Sequence, residues 1–185
     1  MTTPARRPKF QPFTILFTDI EGSTSLTQRL GDDGAQEVLR IHNAIVRAAL
    51  RRCRGTEVKH TGDGIMASFA SATTGLVAAI SIQKTLAEFN AGRQPRLKVR
   101  IGLNSGEPIQ ENEDFFGTAV QLAKRVCDAA GAERILVSNV VRELVSDRGF
   151  LFAAHESVSP TVSRVVTCKA SSRLEVHGTP TYDDI

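Results

Sequence analysis

Two aspartates in this chain each stand near glycine at the edge of an apolar run: Asp19 in "FTILFTDIEGST" and Asp63 in "KHTGDGIMASF". Carboxylates at the ends of neighbouring strands can share a hard divalent cation, Mg²⁺ or Mn²⁺, usually held by one or two acids plus substrate phosphates. Gly22, Ser23 and Thr24 follow Asp19 at a helix start, where backbone N–H groups suit phosphate. Each feature also has a plain structural reading. Turn aspartates bond their own backbone, and Ser23 or Thr24 can cap a helix.

Four other polar residues stand out. Lys59 lies four residues before Asp63, on the same strand face as Glu57. Asp114 falls in the polar turn "ENEDFFG". Gln121 and Arg125 are spaced i, i+4 and share one helix face, away from the apolar face of Leu122, Val126 and Ala129. The histidines are less informative: His42 and His60 suit packing roles, His155 and His177 fall in weakly patterned sequence, and no pair has metal-ligand spacing. No Ser/His/Asp or Cys/His nucleophile set is visible. Cys53, Cys127 and Cys168 form neither a disulfide framework nor a metal knuckle, which fits a reduced cytoplasmic compartment.

These residues need elements to hold them. Alternation predicts a strand over Phe13–Asp19 with Phe13, Ile15, Phe17 and Asp19 on one face. Helical spacing follows, with Val38, Ile41, Ile45 and Ala49 on one side, ending near Gly55. Thr56–His60 and Ile65–Phe69 read as a hairpin closed by "TGDG". Ala72–Phe89 is helical, Leu97–Asn104 alternates as a strand, and a turn at Ser105-Gly106 leads to a short strand near Pro108–Gln110. A helix over Thr118–Ala130, a strand over Arg134–Ser138 and a short helix over Asn139–Val145 complete the pattern. The order predicts an α+β fold: a ferredoxin-like β-α-β-β-α-β core whose mixed, mainly antiparallel sheet is covered by helices. Residues 1–11 read as a disordered lead and 12–185 as one domain, weakly patterned from 150 on.

Composition narrows the function. The 185 residues are 41% hydrophobic and 23% charged, as in a soluble globular domain. No apolar run reaches the length of a membrane span or a signal peptide. A net charge of +3 with 5% aromatics does not indicate a nucleic-acid surface. The basic run Arg47–Arg54 suits the negative end of a helix dipole.

Taken together, "FTILFTDIEGSTSL", "GTEVKHTGDGIMASF", "VRIGLNSGEPI" and "DFFGTAVQLAKRV" resemble the catalytic domain of class III nucleotidyl cyclases, particularly bacterial, mycobacterial-type adenylate cyclases. The four stretches stand in the family's order across about residues 12 to 145. The resemblance implies metal ligation by Asp19, Asp63 and the Ile20 carbonyl, with Gly22, Ser23 and Thr24 under the triphosphate. It implies that Lys59 and Asp114 read adenine, where guanylate cyclases generally carry Glu and Cys or similar. It makes Arg125 the transition-state arginine and Gln121 the ribose-orienting residue. The implied reaction turns ATP into 3′,5′-cyclic AMP and pyrophosphate with two Mg²⁺ or Mn²⁺ ions per site. The implied partner is a second copy, with active sites shared across a homodimer, and neither nucleic acid nor membrane.

Three positions depart from the family pattern. Gln121 replaces a usual asparagine, Glu107 stands where animal enzymes often have a triphosphate-binding arginine, and His177 falls near a usual lysine. Competing readings are a low-activity or inactive cyclase-like regulatory domain that binds nucleotide, and a guanylate cyclase. "DIEGST" also loosely resembles the opening of haloacid-dehalogenase-type hydrolases. That reading needs aspartate rather than Glu21 two residues on and a parallel βαβ order, and the TGDG hairpin opposes it.

Overall fold

A computed structural model describes residues 12–154 and 165–169. The expected N-terminal lead, His155 and His177 lie outside the described residues. The elements run β1 (Phe13–Ile20), α1 (Ser23–Cys53), β2 (Thr56–His60), β3 (Ile65–Phe69), α2 (Ala72–Phe89), β4 (Val99–Gly106), β5 (Ile109–Glu111), β6 (Asp114–Phe116), α3 (Thr118–Ala129), β7 (Ile135–Ser138), α4 (Asn139–Leu144), β8 (Leu151–Ala154) and β9 (Val165–Lys169). Seven strands form one sheet in the order β2-β3-β1-β4-β7-β9-β8, and β5 and β6 form a separate hairpin. The first four strands with α1 and α2 are the expected ferredoxin-like unit. Every pairing in the main sheet is antiparallel except β4 with β7. No helix among the described residues is long and apolar enough to cross a membrane.

Alternation along β1 sorts the core into two layers. Leu16 and Ile20 pack with Ile45, Val46 and Leu50 of α1 and Leu76 and Ile80 of α2. Ile15 and Phe17 turn the other way, onto Ala123 and Cys127 of α3 and Phe115 of β6. Each fully buried side chain of this size contributes about 1.5–3 kcal/mol, so both layers drive folding. The sheet is therefore covered on both sides. The site residues must emerge at strand ends and edges.

The structure corrects several local expectations. α1 begins at Ser23, well before the apolar spacing starts, and breaks at Gly31 (φ 72°, ψ 177°). Its left-handed C-terminal residue is Arg54 rather than Gly55. Asp114 is not in a turn: it opens β6, opposite Glu111, and the turn is Asn112-Glu113 with φ 48° and 68°. Positive φ at both central residues is what a tight two-residue hairpin demands.

The β2 register also slips between Glu57 and Lys59. An extra residue puts neighbouring side chains on one side. Glu57 thus reaches α1, where Arg47 holds it at 2.7 and 2.8 Å, while Val58 packs in the α3-side layer. Lys59 joins Val58 there, bonded to Asp114, so Glu57 and Lys59 do not share a face.

Candidate active site

The two aspartates are brought together by backbone. Ile20 N–H donates to the Asp63 carbonyl at 3.2 Å, so the end of β1 clips onto the turn between β2 and β3. Gly64 makes this approach possible, since a Cβ there would lie 1.9 Å from the Thr18 carbonyl oxygen. Thr18 adds a second tie. Its Oγ1 accepts from Ile65 N–H at 3.0 Å and meets His42 Nε2 at 3.1 Å.

His42 Nδ1 is 2.9 Å from Asn43 Oδ1, and Asn43 Nδ2 is 3.0 Å from His60 Nε2. One proton arrangement satisfies this chain. His42 donates from Nδ1 and accepts the Thr18 hydroxyl at Nε2. The expected packing roles of His42 and His60 are thus polar as well, and they tie α1 to the strands that carry the acids.

Asp19 is nearly buried, 8% exposed. Burial pushes its carboxyl above the usual value; Arg100 opposes that, and the nearby Asp63 charge reinforces it. Arg100 Nε donates to Asp19 Oδ2 at 2.6 Å, and its Nη2 lies 2.5 Å from the same oxygen in an ion pair. Asp63 is held similarly: Ser23 Oγ donates to its Oδ2 at 2.7 Å. Each carboxylate is therefore gripped by one oxygen, and the other has no hydrogen-bond partner among the described residues.

Gly22 precedes α1 in the left-handed region (φ 69°), and no side chain caps the helix. Ser23 reaches Asp63 instead of the helix end, and Thr24 is exposed. The first N–H groups of α1 thus remain available, at the positive end of the helix dipole. A cavity of about 300 Å³ opens beside Asp63, walled among others by Ile20, Ser23, Leu26, Thr27 and Gly62.

Among the described residues no group of three or more His, Cys, Asp or Glu could enclose a metal. Asp19, Asp63 and the Ile20 carbonyl offer only oxygen donors. Such a set fits a hard cation completed by a ligand's phosphates, and fits no soft metal.

Lys59 and Asp114 meet directly. Lys59 Nζ lies 2.6 Å from Asp114 Oδ2 and 5.2 Å over the Phe116 ring. The Lys59 hydrogen bond, helped by Phe115 N–H at 2.7 Å, holds the Asp114 carboxyl below its usual range. Gln121 and Arg125 share an exposed face of α3, away from its buried residues, and Arg125 has no partner among the described residues. Glu107 is exposed after β4.

Arg100 is the residue that sequence reasoning missed. In "LKVRIGLN" it is the polar alternate of a strand, which reads as solvated. Its neighbour across β1–β4 is Asp19, a pairing that only the register reveals.

The model of the adenylate and guanylate cyclase catalytic domain family matches residues 6–168. An adenylate cyclase of Mycosarcoma maydis is 32% identical over 163 residues, 74% of this chain and 6% of that protein. An uncharacterised protein of Mycobacterium tuberculosis is 32% identical over 133 residues, 72% of this chain and 34% of that protein. The chain thus spans about a third or less of these curated relatives.

Among solved structures, an adenylate/guanylate cyclase/hydrolase from Silicibacter pomeroyi superposes with a TM-score of 0.76 at 28% identity, covering 85% of this chain and 95% of the other. The catalytic core of a rhodopsin-guanylyl cyclase with converted specificity, bound to ATPαS, gives 0.79 at 20% identity over 87% and 97%, a likeness of fold alone. With the family's model covering nearly all described residues, the chain belongs to the adenylate and guanylate cyclase catalytic domains.

Proposed function

We propose that this domain is a cytoplasmic adenylate cyclase, converting ATP to 3′,5′-cyclic AMP and pyrophosphate at two sites shared between two copies of the chain. The observation that carries the reading is the Lys59–Asp114 pair at 2.6 Å. Lysine only donates and ionised aspartate only accepts, which complements adenine's N1 acceptor and N6 donor. Guanine presents the reverse pattern and would leave both unpaired, a costly mismatch in a closed site.

Asp19, Asp63 and the Ile20 carbonyl would hold two divalent ions, Mg²⁺ or Mn²⁺. When bound, such ions supply charge neutralisation and easier ionisation of the ribose 3′-hydroxyl. The N–H groups of Gly22, Ser23 and Thr24 receive the triphosphate. The 3′-oxygen gives up its proton and bonds to the α-phosphorus as the bond to pyrophosphate breaks. Gln121 orients the ribose. Arg125 places its charge on the phosphoryl oxygens as negative charge develops there.

Sharing between copies is supported by what this chain leaves uncovered. Arg125 and Gln121 face outward. Ile109 and Phe116, 58% and 44% exposed, stand opposite each other on the β5–β6 hairpin beside Asp114.

The test is an assay of purified protein with Mn²⁺ and either ATP or GTP, beside Asp19→Ala and Lys59→Glu. Cyclic AMP is expected from the parent and a loss of it from both variants. No cyclic AMP from the parent, or undiminished product from Asp19→Ala, refutes the catalytic reading, and preference for GTP makes it a guanylate cyclase. Mixed Asp63→Ala and Arg125→Ala chains, each inactive alone, should regain partial activity. If mixed dimers form without recovery, the sites are not shared.

A further inference from the structure

Arg100 grips Asp19 in an unusual way. A guanidinium commonly spreads two N–H groups over both oxygens of a carboxylate. Here Nε donates to Oδ2 and Nη2 pairs most closely with that same oxygen, while Oδ1 has no hydrogen-bond partner among the described residues. The Arg100 fork is itself anchored, because its Nη1 donates to the Asp128 carbonyl at the end of α3 at 3.2 Å. The Asp128 carboxylate is engaged by Lys124, one helical turn back, and lies 3.8 Å from Arg100 Nη2.

Sheet register supplies the rest. Asp19 and Arg100 are cross-strand neighbours on the β1–β4 ladder, so their separation is set by backbone. The Asp19 side chain is 11% exposed and that of Arg100 29%. Asn104 Oδ1 is the one buried side-chain oxygen or nitrogen without a partner among the described residues. Asp19 Oδ1, also unpartnered, is therefore accessible.

We infer that Arg100 is a positioning residue for the metal site: it pins Asp19 Oδ2 so that Oδ1 alone is presented to the cation. The terminal torsion of an aspartate is soft, so a carboxylate held by nothing would offer either oxygen or turn aside. Partners of metal-bound carboxylates are worth about 10–100-fold in metal affinity. A plain Coulomb argument has the opposite sign, since removing a cation beside a metal site should tighten binding. Metal affinity therefore decides between them. This inference rests on the reading of Asp19 as a metal ligand.

The probe is Mn²⁺ with 3′-deoxy-ATP, which has no 3′-hydroxyl to attack, and bound Mn²⁺ is read from the loss of its free electron-spin signal. Arg100→Ala, folded by circular dichroism, should weaken Mn²⁺ binding about 10–100-fold. Arg100→Lys should fall between that and the parent, because an ammonium restores charge without the rigid fork. Unchanged or tighter Mn²⁺ binding in Arg100→Ala overturns the inference. If Arg100→Ala does not fold, parent-like affinity in Arg100→Lys does the same. Asp19→Asn separates the two claims: parent-like Mn²⁺ binding there removes Asp19 from the metal site altogether, whatever the Arg100 variants do.

Discussion

Mild acid should destabilise this domain through His42. His42 is fully buried on α1, and burial pushes its imidazole down to about 4 from the ordinary 6.5, against the opposing hydrogen bond to Asn43. In the unfolded chain the ring titrates near its ordinary value. Between pH 6.5 and 4 the unfolded state therefore takes up a proton that the native state refuses. Stability is fully present above 6.5, falls as pH drops, and levels off near 4. The whole shift is worth about 3 kcal/mol, and the loss between pH 7 and pH 5 is about 2 kcal/mol. That is a large share of a typical domain's 5–15 kcal/mol.

Other titrating groups do not reproduce this slope. Glu57, lowered by Arg47, and Asp114, lowered by Lys59, lose their contributions only below their ordinary 4.5 and 3.8. Asp19, raised chiefly by burial, recovers stability on protonation and so acts in the opposite sense. Urea unfolding of the parent and of His42→Gln at pH 7 and pH 5 isolates the effect. His42→Gln starts less stable, because the Thr18 contact is lost, but its drop between the two pH values should be about 2 kcal/mol smaller. Equal drops in both proteins would refute the assignment.

Three further substitutions probe what holds the site in place. Asn90→Ala removes Nδ2 from the Leu97 carbonyl (2.9 Å) and Oδ1 from the Leu97 N–H (2.8 Å). About 1–3 kcal/mol is expected for each group left unpaired, read by urea unfolding. Gly64→Ala drives a methyl into the Thr18 carbonyl, so a loss of at least about 3 kcal/mol is expected, the upper end for overpacking. A melting curve within about 1 kcal/mol of the parent would show that the hairpin can slide off β1 at little cost. Glu57→Gln breaks the ion pair to Arg47, which is 47% exposed. Its cost should be only about 0.2–1 kcal/mol at low salt and vanish at molar salt.

What could be read without coordinates was local, and what could not be read was pairing between distant segments. The run from Phe13 to Asp19, the TGDG turn, α2 and α3 declare themselves through period and glycine, and their order predicts the ferredoxin-like unit. The first turns of α1, "STSLTQRLGDDG", carry a single apolar i, i+4 pair, Leu26 and Leu30, and two glycines, so little local marks them as helix. They are helical because Gly22 turns the chain at the end of β1 and Ser23 bonds Asp63. β6 is three residues long and shows no period, so Asp114 read as turn. The extra residue in β2 defeats face assignment by counting, which put Lys59 beside Glu57 when it belongs with Asp114.

Arg100 and His42 are the instructive misses. Each is ordinary within its own element, and each matters only through a residue 81 or 24 positions away. Candidate site residues could therefore be proposed from motifs along the chain. The side chains that orient them could not, because an orienting contact is a property of register, and register is decided by the whole sheet.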